Sequence, residues 1–468
     1  MTRLLLADLR RHAGTWVWTA VVCAVVSACA TAVLVIQRGA LAAATALGDA
    51  PQAATMRTSA QTLVAWTIST TALAGASVLT STTRLAVEQH RYDHGLWRAL
   101  GMRPGILEAV LLGQLAVLGA LAGLLGTPLG LLLVRPLHSM LVSERVILPS
   151  ATPAAAPRDL LILVAVTAGT AVLGGLRAVH RSARTEVLAL LRDGAGEPRP
   201  WWRRLLGATT RLVLLGSVAA GVVAAWVAGG RAEPGSENAI AATVGGSFAI
   251  FTLVVLLVPW VTPFLENVWT GAVELVVLRP LAATGLADPT AWFLARRSAA
   301  HEARRSSTTV MPFLVAIGLV GLLYGFKAGG ASGVTAKGMG SMFGPALLTA
   351  WTGGVAVIAL GASRRRRDAA LLEAAGARVA QVRAAQVLEG AVHAVTATLL
   401  GLVVTGLSLL LLGRSMSLPL GEVLDRGPWL EVGVVALASL VTTCTAVVLA
   451  GVQAGHALSL AAELRSRD

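Results

Sequence analysis

Of the 468 residues, 55% are apolar and 13% charged, with a mean hydropathy of +0.73; a water-soluble chain carries roughly a quarter charged residues. That balance excludes a soluble globular enzyme and reads as an all-α polytopic membrane protein. The formal charge of +14 is nearly all arginine, since the lysines are Lys327 and Lys337 alone; in a membrane chain this marks cytoplasmic loops, and nucleic acid is not an expected partner.

In chain order, Met1 to Gly14 (MTRLLLADLRRHAG) comes first. Asp8 and three arginines, Arg3, Arg10 and Arg11, interrupt its apolar stretch, so it reads as an amphipathic interfacial helix and not as a cleavable signal peptide. Ten apolar runs follow, each a candidate span: Trp16–Ile36, Gln61–Thr80, Leu107–Val134, Leu160–Leu176, Leu212–Ala228, Ile240–Thr262, Val310–Phe326, Ser341–Ala362, Gln386–Gly413 and Leu430–Gly451. The third and ninth exceed the ~20 residues that a bilayer core requires. With the N-terminus inside, roughly three quarters of the Lys and Arg fall on the cytoplasmic side, which places both termini in the cytoplasm. The longest external loops, Gln37 to Ala60 and Arg135 to Asp159, are too short to fold alone. Cys23, Cys29 and Cys444 lie inside apolar runs and read as small buried residues.

Two polar inserts repeat 275 positions apart. RYDHGLWRALGMR (Arg91 to Arg103) and RRDAALLEAAGAR (Arg366 to Arg378) share Arg91/Arg366, Asp93/Asp368, Leu96/Leu371, Ala99/Ala374, Gly101/Gly376 and Arg103/Arg378. The basic lead-in LLLADLRRHAG is mirrored by WFLARRSAAHEARR (Trp292 to Arg305), and the tail Arg177 to Asp193 by Val452 to Asp468. Six spans separate equivalent positions, so the copies have one orientation, a parallel repeat about the membrane normal. The expected organisation is an interfacial helix over 1–14, a four-span unit over 15–193, a linker with connecting spans over 194–290 and a second four-span unit over 291–468.

Each insert is a short helix with apolar anchors inside a charged rim, the pattern of a docking element: Arg91, Asp93, Arg98 and Arg103 around Leu96, Trp97 and Leu100, then Arg366, Asp368, Glu373 and Arg378 around Leu371. Trp97 is the leading single anchor. A basic helix held by anionic lipid would need no partner, and the run from Arg364 to Arg367 also serves as a topology anchor. Gly119, Gly123, Gly126 and Gly130 form a small-residue stripe along the third span; close helix packing is the first reading and a substrate lining the second. Gln114 and Glu389 occupy equivalent positions near the starts of spans three and nine, with His393 one turn beyond Glu389 and in reach at i,i+4. These three are candidates for transmitting motion. Glu266 and Glu274 fall in an amphipathic continuation of span six. The eight histidines are scattered with no catalytic or metal-ligand spacing, and no GxxxxGK[ST] phosphate loop is present.

Arg91, Asp93, Gly95, Leu96, Arg98, Ala99, Leu100 and Gly101, running into a glycine-rich span, resemble the FtsX-like permeases of ABC transporters. In the second insert Glu373 replaces Arg98 and Ala375 replaces Leu100. The arrangement of two four-span units and a connecting pair is similar to bacitracin-type permeases, although the loop Lys327 to Gly340 leaves no room for their external domain. The resemblance implies a membrane subunit without its own ATPase site or bound cofactor, ATP and Mg residing on a partner ABC ATPase, with two copies per chain. It implies insert helices that dock on those ATPases and an amphipathic peptide, lipid or antibiotic as substrate. An ion-driven secondary transporter and a non-transporting scaffold or sensor are the alternatives.

Overall fold

A computed structural model describes residues 2–48, 51–144, 147, 149–184, 201–280, 289–301, 303–328 and 336–455. The described elements are all helical. They are α1 (Thr2–Arg11), α2 (Ala13–Ala46), α3 (Pro51–Gln89), α4 (Arg91–Ala99), α5 (Pro104–Ser143), α6 (Pro157–Arg184), α7 (Trp201–Arg231), α8 (Glu237–Val273), α9 (Pro289–His301), α10 (Ala303–Ala328), α11 (Ala336–Ala374), α12 (Val379–Met416), α13 (Leu420–Asp425) and α14 (Trp429–Gly455). A π-helical turn, Glu274–Leu278, prolongs α8. Among the described residues, nine helices are long and apolar enough to cross a membrane. The second expected span, Gln61–Thr80, lies within helix α3, which is not among those nine. This is a multi-pass membrane protein.

The loop expected over Gln37 to Ala60 is mostly helix: α2 runs to Ala46 and α3 begins at Pro51. The alanine-rich stretch Leu41–Ala46 favours helix strongly enough to carry α2 past its apolar run, and proline suits a first helical turn. Parts of the expected tails and linker, residues 185–200 and 456–468, lie outside the described residues.

The chain divides into two compact units, Met1–Arg204 with Gly333–Ala356, and Leu205–Ser332 with Val357–Asp468. The expected connecting spans therefore cluster with the second unit, and the first half of α11 with the first.

In the first unit, α5 is the central rod. Lipid tails are as apolar as leucine, so helices in a bilayer gain affinity from close packing and not from water exclusion; the glycine stripe provides that closeness. A Cβ on Gly119 would sit 2.8 Å from Ala168 Cα, and one on Gly123 would sit 3.1 Å from Val164 Cα, both on α6. One turn on, the neighbour changes: a Cβ on Gly126 would meet Ala24 O at 2.3 Å and one on Gly130 would meet Ala28 O at 2.5 Å, both on α2. Ser27 Oγ also donates to Gly123 O (3.3 Å) across this seam. We expect Gly126→Val to destabilise the protein by about 1–3 kcal/mol through overpacking against main chain, whereas Gly169→Val, with open space around it, leaves the melting temperature in detergent within a degree or two of wild type.

Three core clusters run along this unit. At the α4 end, Trp16, Leu107, Leu111 and Leu115 pack with Val179 and Ala183. Midway, Val22 and Cys23 meet Val78, Leu79 and Ala356. At the far end, Val35, Ile36 and Ala40 pack against Val134, Leu141 and Ile147. There the segment after α5 folds over α2: Ala154 N donates to Val35 O (3.3 Å), and Arg38 pairs with Asp159 at 2.7 Å.

In the second unit the close crossing is between α10 and α12, and here α10 contributes glycines. A Cβ on Gly321 would strike Thr405 Oγ1, and one on Gly401 would lie 2.4 Å from Ile317 Cγ2. Thr405 stands 275 positions after Gly130, so the seam that α5 opens with its own glycine is opened at α12 by a glycine on the facing helix. Phe251 of α8 packs on Gly318, and Leu409, Leu412 and Val423 hold α13 against α12.

Candidate functional site

The two polar inserts end in the same turn. In the first, Gly101 N donates to Arg98 O (3.1 Å) and Met102 N to Trp97 O (3.0 Å). In the second, Gly376 N donates to Glu373 O (3.0 Å) and Ala377 N to Leu372 O (3.0 Å). This paired bonding is a Schellman closure, which requires a left-handed residue after the helix. Gly101 takes φ +95° and Gly376 φ +96°. Arg103 and Arg378 then adopt extended N-cap geometry (ψ 143° and 140°) and launch α5 and α12. The shared Gly and Arg of the repeat thus form one reversal, helix stop followed by helix start. No atom lies within 4 Å of a Cβ built on either glycine, so the cost of substitution is all backbone. Gly101→Ala and Gly376→Ala should each lower stability by about 1–2 kcal/mol, read as a fall in melting temperature.

The inserts differ in how they begin. The chain breaks at His90 (φ −94°, ψ 16°), making α4 a separate helix, whereas α11 runs unbroken from Ala336 through Ala374.

Around α4, three of the sequence candidates, Asp93, Trp97 and Arg98, turn inward. Trp97 is half-buried and packs on the Trp16–Leu107 cluster, with its ring 6.0 Å from that of His94. Arg98 Nη1 donates to Ala183 O on α6, and His94 Nδ1 hydrogen-bonds Ser182 Oγ at 3.0 Å. Asp93 points to His12 Nε2 (3.4 Å) and His90 Nδ1 (3.9 Å). Tyr92, Leu96 and Leu100 stay outward, Leu100 at 85% exposure. Arg103 is exposed, and the Arg91 side chain lies outside the described residues. Leu100 and Leu96 are thus the outward leucines of α4, whereas the Trp97 indole braces the helix from behind. Burial, with the neighbouring imidazole of His12 second, holds His90 down at about 4; burial, then His90, does the same to His94. Both rings are neutral at pH 7.

In the second insert Leu371 is 55% exposed. Asp368, Arg367 and Arg378 are exposed, while Arg366 and Glu373 are half-buried. Arg365 folds back, its Nη2 donating to Ile358 O, and Gln386 Nε2 donates to Arg365 O at 3.2 Å.

The equivalent residues Gln114 and Glu389 each bond the lead-in helix of their own unit. Gln114 Nε2 donates to Asp8 Oδ2 (2.7 Å) on α1; Ser298 Oγ on α9 donates to Glu389 Oε2 (2.9 Å). Each long helix is thereby tied to a lead-in helix about three turns past its insert. His393, 8% exposed by side chain, stands between two acids: Nδ1 is 3.1 Å from Glu266 Oε1 and Nε2 is 3.8 Å from Glu389 Oε1. Glu266 is 2% exposed, within a continuous helix and not on a solvated face. Glu108 pairs with His180 at 3.0 Å, and Glu274 with Arg296. Sequence reasoning missed Asp8, His12, Ser298 and Glu266 as partners.

Residues 67–187, which run from the middle of α3 through the α4 turn, α5 and α6, match the FtsX-like permease C-terminal family. Over this segment the chain is similar to the C-terminal domain of FtsX-like permeases. No curated protein and no solved structure matches the chain. The FtsX-like segment contains the whole of the first insert and the glycine stripe; the second insert, Arg366 to Arg378, lies beyond it.

Proposed function

We propose that the chain is the membrane-spanning subunit of an ABC transporter, built from ten spans as two parallel four-span repeats with a connecting pair, both termini cytoplasmic. It holds no ATPase site of its own. Two ABC ATPase subunits dock on the inserts, α4 with its turn and the end of α11 with its turn, and pass their closure to α5 and α12. The cargo is amphipathic, a peptide, lipid or antibiotic drawn from the bilayer, since the short external loops suit a ligand delivered by lipid.

The observation that carries this reading is the shared reversal at Gly101–Arg103 and Gly376–Arg378, beside which each insert leaves apolar side chains outward, Leu96 and Leu100 in one and Leu371 in the other. A large exposed leucine at the polar end of a membrane helix, rimmed by charge, fits an apolar groove on a soluble partner better than it fits water. Co-purification of the chain with its co-expressed ABC ATPase tests the reading, using substitutions on that outward face.

A further inference from the structure

His12, His90 and Asp93 come from the α1–α2 junction, the α3–α4 break and α4, and each places one ligand atom within 4.8 Å of the others. Asp8 fixes the arrangement. Its Oδ1 accepts from His12 Nδ1 (3.0 Å), and its Oδ2 is held by Gln114 Nε2 (2.7 Å). With its proton on Nδ1, His12 turns the Nε2 lone pair toward Asp93 Oδ2, 3.4 Å away. A cation between these two acceptors, either a metal ion or a second proton on His12, reconciles them at that distance. The spacing is close to the ~3.3 Å edge of a tetrahedron with metal–ligand bonds of about 2.0–2.1 Å. His90 is 92% buried, its ring centroid lies 4.2 Å from that of His12, and its Nε2 has no hydrogen-bond partner among the described residues. A carboxylate behind a ligating imidazole is the usual outer support of such a site.

We propose that His12, His90 and Asp93 bind a divalent transition metal of the zinc class, with Asp8 as the outer carboxylate and water completing the coordination. Two imidazoles and one carboxylate suit zinc or cobalt over calcium or magnesium, which take oxygen ligands. The ion fastens the lead-in helix to α4. A consequence for coupling rests on the proposed docking role of α4; metal binding itself does not.

The test uses the full chain, purified in detergent through a tag without histidine, stripped with a chelator and dialysed against Co(II) or Zn(II). Mass spectrometry should find one metal per chain, with visible ligand-field bands for Co(II). His90→Ala and His12→Gln should each lose stoichiometric binding, Asp8→Asn should weaken it about 10–100-fold, and His180→Ala should keep it. If one ligand variant does not purify, the other decides. Substoichiometric metal in the wild type, leaving a protonated His12 as the positive charge, overturns the proposal; so does unchanged binding in the ligand variants.

Discussion

We expect a chain carrying Leu96→Asp and Leu100→Asp to lose its co-expressed ABC ATPase during purification, with affinity down at least about 100-fold. Both leucines face outward, at 41% and 85% exposure, so neither supports the fold of its own unit. An apolar anchor in a desolvated groove contributes about 2 kcal/mol or more, and a carboxylate forced into the same groove adds a desolvation cost. The variant's melting temperature should match wild type. Trp97→Ala should behave in the opposite way, lowering stability because the indole packs on the Trp16–Leu107 cluster. Leu371→Asp alone should weaken ATPase retention by less than about tenfold, since the second insert offers one large outward leucine where the first offers two. Wild-type ATPase stoichiometry in the Leu96/Leu100 variant would falsify the docking role.

The second large effect concerns stability. His393→Leu should destabilise the protein by about 1–3 kcal/mol, because it removes the imidazole that hydrogen-bonds an almost fully buried carboxyl group. His393 links Glu266 on α8 to Glu389 on α12, and Glu389 accepts from Ser298 on α9, so one ring joins three helices. Replacing both members of the closest pair, Glu266→Leu with His393→Leu, should recover most of the loss, since exchanging both partners of a buried polar contact for apolar groups costs little. Thermal melts of the two single variants and the double variant check this. A double variant that costs the full sum of the singles would show that the residues act independently.

Legibility in the sequence followed distance along the chain. The apolar runs were readable because each is local; all ten fall within helices, and nine of those helices are long and apolar enough to cross a membrane. Repetition drew attention to Gly101 and Gly376, but the left-handed reversal that both adopt was not read from the sequence. Helix ends were less readable: alanine-rich stretches such as Leu41–Ala46 carry helix beyond the hydropathy signal. Gln114, Glu389 and His393 stood out as polar residues in apolar runs. Their partners did not, because Asp8 lies 106 positions from Gln114 and Glu266 lies 127 from His393. The inward turn of Trp97, Arg98 and Asp93 was equally hidden, since a nine-residue helix rich in charge gives no sign of which side faces its own protein.

The glycine stripe on α5 also has a mechanical meaning. The closest backbone neighbour of this rod passes from α6 to α2 between Gly123 and Gly126, near the middle of its 40 residues. At 1.5 Å per residue the arms on either side are about 30 Å each. Were the proposed ATPase docking to push Pro104 by a few ångströms, a rigid rod held at this changeover would swing Ser143 by a similar amount in the opposite sense.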